Sequence, residues 1–414
     1  MRTPGRATPT QGVGLDLLRL AAALLVTVYH LTYLQWADPH QRGTAAAAPF
    51  LAYMGWTPYV DTGWVGVQIF FVISGFVIAY TANGRSPSAF VRSRILRLVP
   101  GIWICATLSL FALLLAGMPL GETVQRYLLS LVVFPTGPWV AGSYWTLPIE
   151  ILFYALIFLV LCRNRFDRLE RVVLVLGGLS LALWAAVLMA PSGAAGEVVT
   201  RLAIHRLPKQ LLLQHGCFFA VGVLVWILRE KGASSRRLLA LALFVGACLV
   251  QIRNEARHAA AWASVPMSAT PALLTFAVAL ACIAASLRWN AAAHALLGPR
   301  AAAVRALGLM TYPVYLLHLP FGVPLSTWQL AAGVPPALAL LVSVLAVAAL
   351  SWIVAMRIEP LARAWLKPRL DLLDQRITPR WPWAGRPTRP LVSPQAPILS
   401  TPATLAVPQG AQGA

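Results

Sequence analysis

A succession of long apolar segments constrains the fold of this chain more than any other feature. Each segment is long enough to cross about 30 Å of hydrocarbon as a helix. Because backbone polar groups in lipid must be hydrogen-bonded internally, an apolar segment of this length is expected to be helical. The sequence therefore predicts an all-α polytopic membrane protein with about ten transmembrane helices. We place these spans near 15–35, 63–81, 98–117, 143–161, 172–190, 210–228, 238–253, 269–287, 307–327 and 337–356.

The distribution of charge predicts the orientation of these helices. Charged residues make up only 11% of the chain, whereas soluble domains contain about 25%. Most of the 33 Lys and Arg residues lie in alternate loops and near the termini. By the positive-inside rule, both termini are predicted to be cytoplasmic. These loops also explain the formal net charge of +20 without a nucleic-acid partner, since the sequence shows no soluble basic domain.

The chain divides into three parts by composition. Residues 1–14 form a polar N-terminal segment that we expect on the cytoplasmic side. Residues 15–367 form the predicted transmembrane domain. Residues 368–414 are rich in Pro, Ala, Thr and Arg, so we predict a disordered cytoplasmic tail.

Two ionisable residues lie eleven positions apart in the first apolar segment, Arg19 and His30. Eleven residues make roughly three helical turns, so both side chains lie on one face, about 16 Å apart along the axis. Ionisable groups inside a membrane are functional candidates because burying them is costly. We expect Arg19 to reach an anionic ligand and His30 to lie deeper. The alternative is a snorkelling arginine, paired with Asp16, and a structural histidine.

A basic cluster follows the second apolar segment. Arg92, Arg94 and Arg97 lie in FVRSRILRLVP (90–100). Guanidinium groups suit phosphates through paired hydrogen bonds, so we expect a phosphate-rich ligand at this cytoplasmic edge. The alternative is topological, because loops on the inner side are commonly basic and anionic lipid would also satisfy them.

Two more intramembrane ionisable residues complete the candidate set. Glu150 lies in SYWTLPIEILFY (143–154), and a buried carboxylate must be paired, protonated or functional. It is predicted either to orient His30 or to serve as a structural partner for Arg19 or a hydroxyl. His318 lies in YPVYLLH (312–318), where it shares a helix face with Tyr312 and Tyr315. It is a catalytic candidate, and the alternative is a core histidine with a tyrosine partner. The sequence shows no pattern of metal ligands, and we expect no bound metal.

Taken in order, these motifs resemble the acyltransferase-3 family of integral-membrane O-acyltransferases. The resemblance runs from about residue 14 to residue 367. It rests on LDLLR…H (15–30), GVQIFFVISGF (66–76), FVRSRILRLVP (90–100), YWTLPIEILFY (144–154) and YPVYLLH (312–318), with RIEPL (357–361) similar to the closing motif. The chain departs from many members at Gln68, Pro148 and Ile151.

The resemblance implies ten core helices, a bacterial inner-membrane location and an acyl-CoA donor, usually acetyl-CoA, bound from the cytoplasm. It makes Arg19 and His30 the family's Arg-x10-His pair, and Arg92 and Arg94 its basic motif near the donor. No permanently bound cofactor is implied. The expected acceptor is a hydroxyl of a surface polysaccharide sugar or its lipid-linked precursor.

We expect His30 to act as a general base or to accept the acyl group transiently, with Glu150 orienting it. Two other functions remain open at this stage. One is O-acylation of a small molecule. The other is a proton-coupled transporter or a flippase for a sugar or lipid-linked glycan, for which buried Arg, Glu and His would also be suitable.

Overall fold

The computed structural model describes residues 12–40 and 44–391, and these residues form helices and connecting turns without strands. The helices are α1 (Val13–Leu31), α2 (Tyr33–Ala37), α3 (Thr57–Val60), α4 (Gly66–Ala82), α5 (Pro87–Leu115), α6 (Leu120–Leu131), α7 (Thr146–Cys162), α8 (Leu169–Leu188), α9 (Ala194–Ile204), α10 (Arg206–Gln210), α11 (Gly216–Lys231), α12 (Ser235–Ala263), α13 (Thr270–Arg288), α14 (Asn290–Leu297), α15 (Ala301–Leu317), α16 (Val323–Ala331), α17 (Pro336–Ile353), α18 (Glu359–Arg380) and α19 (Pro382–Gly385). The all-α multi-pass architecture predicted from hydropathy is confirmed.

The number of spans differs from the prediction. Within the described residues, nine helical segments are long and apolar enough to cross a membrane. The predicted sixth span, near 210–228, corresponds to α11, which has only 16 residues. Most of the α11 side chains are fully buried, so this helix packs as a central element of the bundle. The predicted ten spans are therefore nine long helices and one shorter, buried helix.

Small residues allow the central helices to approach closely. A Cβ atom on Gly66 of α4 would meet the carbonyl oxygen of Ala22 on α1 at 2.4 Å. A Cβ atom on Gly75 would meet the carbonyl oxygen of Phe219 on α11 at 2.3 Å. Both glycines therefore lie at helix crossings that a larger side chain would force apart. The resulting contacts hold α4 between α1 and α11, at the centre of the bundle.

A π-helical turn follows α15 and spans His318–Gly322. Pro320 lies within it and has no N–H to continue the α-helical hydrogen-bond pattern. Such π turns occur often at functional sites because they redirect a side chain. Here the turn begins at His318, which is fully buried.

The two ends of the bundle differ in composition. We call the end at which Arg19, Arg94 and Arg97 lie the arginine face. Helix α1 runs from this end to the opposite one, where Tyr33 and Trp36 pack with other rings. We call that opposite end the aromatic face.

The predicted disorder of residues 368–414 is wrong for its first half. Helix α18 continues to Arg380, and Asp371 bonds Arg92 of α5 at 2.7 Å. Further along, the Thr388 hydroxyl donates to the Arg85 carbonyl at 3.0 Å, and the Leu391 N–H donates to Asn83 Oδ1 at 2.8 Å. Residues 368–391 are thus held against the arginine face by specific bonds. Residues 392–414, like 1–11, lie outside the described residues.

Candidate active site

Two histidines from distant parts of the chain meet in the interior of the bundle. Nδ1 of His30, near the end of α1, lies 2.8 Å from Nε2 of His318. Their rings stack with centroids 4.9 Å apart and an interplanar angle of 22°. The π turn at the end of α15 positions His318 for this contact. The sequence predicted both residues as site candidates but not their contact with each other.

The partners of His318 fix the tautomers of the pair. Its Nδ1 lies 3.2 Å from the carbonyl oxygen of Val314, which can only accept a hydrogen bond. We therefore assign the proton of neutral His318 to Nδ1, which leaves Nε2 as an acceptor for the Nδ1–H of His30. The proton-free nitrogen of His30 is then Nε2. No described residue bonds this nitrogen, so it is available as a base.

A cavity of about 110 Å³ lies between α1, α4, α5, α7 and α15, on the arginine side of the histidine pair. Its polar lining consists of arginines, one carboxylate and several hydroxyls. These are Arg19, Ser74, Arg94, Arg97, Thr146, Glu150, Tyr154, Thr311, Tyr312 and Tyr315. Apolar side chains, including Phe70 and Phe71, complete the wall. Convergent polar groups set between apolar side chains are what a small-molecule site uses to orient its ligand.

Tyr315 connects this cavity to the histidine pair. Its ring centroid lies 6.0 Å from that of His318, and its hydroxyl accepts a hydrogen bond from Thr146 at 3.1 Å. Phe70 packs edge-on against the same tyrosine ring. The cavity therefore extends from the arginines to within one side chain of His318 and His30.

Two of the three arginines in the basic motif line the cavity. Arg94 lies over the rings of Phe90 and Tyr154, at 5.5 and 5.6 Å, and Arg97 lies over Tyr312 at 5.9 Å. Neither has a carboxylate within 4.0 Å among the described residues. Both guanidinium groups therefore retain donors that an anionic ligand would use.

The third arginine does not reach this site, which corrects its predicted role. Arg92 bonds Asp371 at 2.7 Å and Asp374 at 3.5 Å on α18. The reason is helical geometry: residues two apart point about 200° apart, whereas Arg94 and Arg97, three apart, share a face. Arg92 thus holds the C-terminal helix, and only Arg94 and Arg97 remain as donor-binding candidates from this motif.

Arg19 lines the cavity and forms the ion pair with Asp16 that the sequence offered as an alternative. Its Nη1 donates to Asp16 at 3.2 Å. Asp16 is 1% exposed and also pairs with Arg305 of α15 at 3.3 Å. Arg97 is close enough to interact electrostatically with Arg19. The site is therefore richer in positive charge than the predicted residues alone indicate.

Two residues from the C-terminal half were missed by the sequence analysis. Arg363 of α18 bonds Glu359 and interacts electrostatically with Arg97 and Arg305. Arg305 joins the cluster through Asp16. Only Glu359, in the closing motif RIEPL, gave a signal in the sequence. Outside the membrane segments, burial and the nearby Arg94 and Arg92 lower the pKa of Arg85, which indicates how positive this face is.

The predicted role of Glu150 in orienting His30 is wrong in this structure. Glu150 Oε1 accepts hydrogen bonds from the Tyr154 hydroxyl at 2.6 Å and from Ser74 at 3.3 Å. The orienting contact to His30 comes from His318 instead. Glu150 lies one helical turn beyond Thr146, the residue of α7 that bonds Tyr315. The alternative prediction, a carboxylate paired with hydroxyls, describes its bonds.

Comparison with protein families assigns the chain to a family. The family model described as "Acyltransferase domain" matches residues 13–356, which include the histidine pair and the cavity. The chain belongs to the acyltransferase-3 family. The match spans nearly the whole membrane bundle, so the family assignment applies to the site as well as to the fold.

Two curated relatives of this acyltransferase-3 protein are named for polysaccharide production or acyl transfer. One is the exopolysaccharide production protein ExoZ of Rhizobium meliloti (strain 1021), 38% identical over 132 residues, covering 29% of this chain and 40% of ExoZ. The other is BcsY of Komagataeibacter xylinus, named as a membrane-bound transacylase, 31% identical over 158 residues, covering 32% of this chain and 39% of BcsY. The matched segment spans about two fifths of each relative's length. No solved structure matches this chain.

Proposed function

We propose that this protein is a membrane O-acyltransferase that moves an acetyl group from cytoplasmic acetyl-CoA to a sugar hydroxyl. The observation that carries the proposal is the alignment of the arginines, the cavity and the histidine pair along one direction. It begins at Arg94 and Arg97, which lack carboxylate partners, passes through the cavity beside Arg19, and reaches Tyr315, whose ring contacts His318 of the His30–His318 pair. Family membership supports acyl transfer over the carrier alternative.

The length of this path suits the donor. Arg19 and His30 are about 16 Å apart along α1, from eleven residues at about 1.5 Å each. The pantetheine arm of coenzyme A has about twelve bonds between its diphosphate and its sulfur. At about 1.25 Å of projected length per bond, the extended arm is about 15 Å long. Phosphates beside Arg19 and Arg97 would therefore leave the thioester near His30.

The chemical step follows from the tautomer of His30. Nε2 takes the proton of the acceptor hydroxyl while the hydroxyl oxygen attacks the thioester carbonyl carbon. The tetrahedral intermediate then collapses, the carbon–sulfur bond breaks, and the CoA thiolate leaves and takes the proton from His30. The Nδ1–H of His30 donates to His318 throughout, and Val314 holds His318. The imidazolium of His30 is thereby stabilised without a carboxylate.

The acceptor class is supported by the relatives. ExoZ is named for exopolysaccharide production, so we propose a hydroxyl of a surface or exopolysaccharide sugar, or of its lipid-linked precursor. We further propose that the arginine face is cytoplasmic, in the bacterial inner membrane. Loop charge supports this orientation, because the arginine-rich connections lie at that end.

The test is release of CoA and transfer of label from radiolabelled acetyl-CoA by the purified full chain in lipid vesicles. Wild-type protein is expected to release CoA and to pass label to saccharide, and His30→Ala to do neither. His294→Ala, a histidine on α14 away from the site, is the matched control and should behave as wild type. Label transfer by His30→Ala, or no acetyl-CoA turnover by correctly inserted wild-type protein, would refute the proposal.

A further inference from the structure

Several buried polar atoms without partners lie beyond His30, toward the aromatic face. Asp61 is 5% exposed, and its Oδ1 has no hydrogen-bond partner. Gln251 of α12 is fully buried, and its Oε1 is also unpartnered, as is the indole N–H of Trp64. An unmade hydrogen bond to a buried polar group is costly, and such groups are few in native proteins. Several in one region therefore indicate a place where a ligand completes the bonding.

The carboxyl groups of this region both lie near one tyrosine, Tyr29 of α1. Asp61, which follows α3, and Glu255, which lies on α12, are both within electrostatic range of Tyr29. Gln251 donates from Nε2 to Glu255 at 3.3 Å. Trp64 packs against the hydrophobic cluster that contains Tyr29. Residues from α1, α12 and the turn before α4 thus contribute to one polar region.

The region adjoins the base without sharing the donor cavity. The rings of Tyr29 and His30 lie 5.3 Å apart. Neither Tyr29 nor Asp61 lines the arginine cavity, and neither do the two α12 residues. A ligand held here would therefore approach His30 from the side opposite to the donor.

The chemistry of the region selects its ligand. Two carboxyl groups repel phosphates, which excludes a second site for coenzyme A. Among the described residues, no three His, Cys, Asp or Glu side chains converge to hold a metal ion. Hydroxyl groups both donate and accept, so they fit unpartnered carboxylate and amide oxygens beside an indole N–H. Aromatic rings supply the apolar surface that the carbon-bound hydrogens of a sugar ring need.

We infer that Asp61, Gln251, Glu255 and Trp64, around Tyr29, bind the acceptor as a hexose unit and present its hydroxyl to His30. The inference rests on the proposed function and names the residues that recognise the acceptor. It divides the site into a cationic half for the donor and a neutral-to-acidic half for the sugar.

The experiment separates the two half-reactions of the full chain in vesicles. The donor half-reaction is CoA release from acetyl-CoA with water as the acceptor. The complete reaction uses a mixture of the methyl glycosides of glucose, galactose and mannose as the acceptor probe. The variants are Asp61→Asn and Gln251→Met, which nearly preserve side-chain volume. Glu197→Gln, an exposed carboxylate of α9 that pairs with Arg201, is the matched control.

Each variant at the acceptor site is expected to keep the wild-type KM for acetyl-CoA and the wild-type rate of hydrolysis. The KM for the glycosides should rise about tenfold to a hundredfold, as one or two lost hydrogen bonds predict. An unchanged glycoside KM in both variants, or wild-type hydrolysis that no glycoside accelerates, would overturn the inference and leave the proposed function standing. Absence of acetyl-CoA turnover in wild-type protein would instead refute the proposed function, and the inference with it.

Discussion

The two halves of the site, on either side of His30, have opposite unmet bonding needs. On the arginine side, Asp16 bonds arginines and Glu150 bonds hydroxyls, while Arg94 and Arg97 have no carboxylate within 4.0 Å among the described residues. On the aromatic side the unpartnered groups include the oxygens of Asp61 and Gln251. The site therefore has spare charge-assisted donors for an anion at one end and spare acceptors for hydroxyls at the other. His30 lies between these halves, so the donor and the acceptor can bind at separate places and meet only at this base.

The largest effect should come from removing the base that joins the halves. His30→Ala is expected to lower the rate of acetyl transfer by about a hundredfold to ten-thousandfold, the range of general base catalysis. The KM for acetyl-CoA should change little, because the donor's phosphates bind elsewhere. Steady-state kinetics with purified protein in vesicles checks both values. A rate within threefold of wild type would show that the halves do not meet at His30.

The histidine pair provides a sharper test of how that base is held. In His318→Gln the amide oxygen can still accept from the His30 Nδ1–H, whereas in His318→Phe nothing accepts. We expect kcat to fall about tenfold in the first variant and a hundredfold or more in the second, with donor KM unchanged. The pH profile of kcat should also shift in the phenylalanine variant. Equal losses in the two variants would indicate a packing role alone.

The arginine half is tested by contrasting neighbours in one helix. Arg94→Ala with Arg97→Ala should raise the KM for acetyl-CoA about tenfold to a hundredfold, as lost charged hydrogen bonds predict. Arg92→Ala, which removes a bond to α18 and not to the cavity, should leave that KM within twofold. Donor titration of the two proteins measures the difference. A larger effect from Arg92 would place the donor outside the cavity.

The aromatic half should show its buried carboxyl in the pH dependence of stability. Burial raises the pKa of Asp61 to about 6, and Tyr29 lies within electrostatic range of this carboxyl group. Because the folded-state pKa is raised, the folded protein favours the protonated form of Asp61. The stability that this form contributes is fully present below the unfolded pKa near 4 and is lost as the pH rises through about 6. Asp61→Asn should remove this loss, so its thermal midpoint should exceed that of wild type by a few degrees at pH 7. The prediction would be contradicted if the thermal midpoints of wild type and Asp61→Asn changed with pH in the same way from pH 4 to pH 7.

The smallest effect concerns the contact of α18 with the arginine face. Asp371→Asn together with Asp374→Asn should release Arg92, at a cost of about 1 kcal/mol for a partly exposed ion pair. We expect faster proteolytic cleavage near residues 381–391 and unchanged donor kinetics. Protection equal to that of wild type would mean that the bonds of Thr388 and Leu391 suffice.

The sequence predicted the bundle well, because bilayer thickness leaves few choices for apolar segments of this length. It also gave Arg19, His30 and His318 as site candidates, because ionisable residues within apolar segments stand out, and the structure places all three in or beside the same interior region. It did not predict that His318 rather than Glu150 would contact His30, since that depends on the π turn and on how α7 packs against α4. The role of Arg92 was predictable from helical spacing, which separates it from Arg94. The acceptor region was not predicted, because Asp61, Gln251 and Glu255 come from segments that only tertiary packing brings together.

The division of the site between two ligands is tested most directly by the sidedness of the reaction. Sealed vesicles with the arginine face outward are loaded with methyl hexosides, and radiolabelled acetyl-CoA is added outside only. We predict acetylated hexoside inside the vesicles, CoA outside, and no labelled hexoside with His30→Ala. Acetylated hexoside that forms only when both substrates are on the same side, or that forms without His30, would contradict the account.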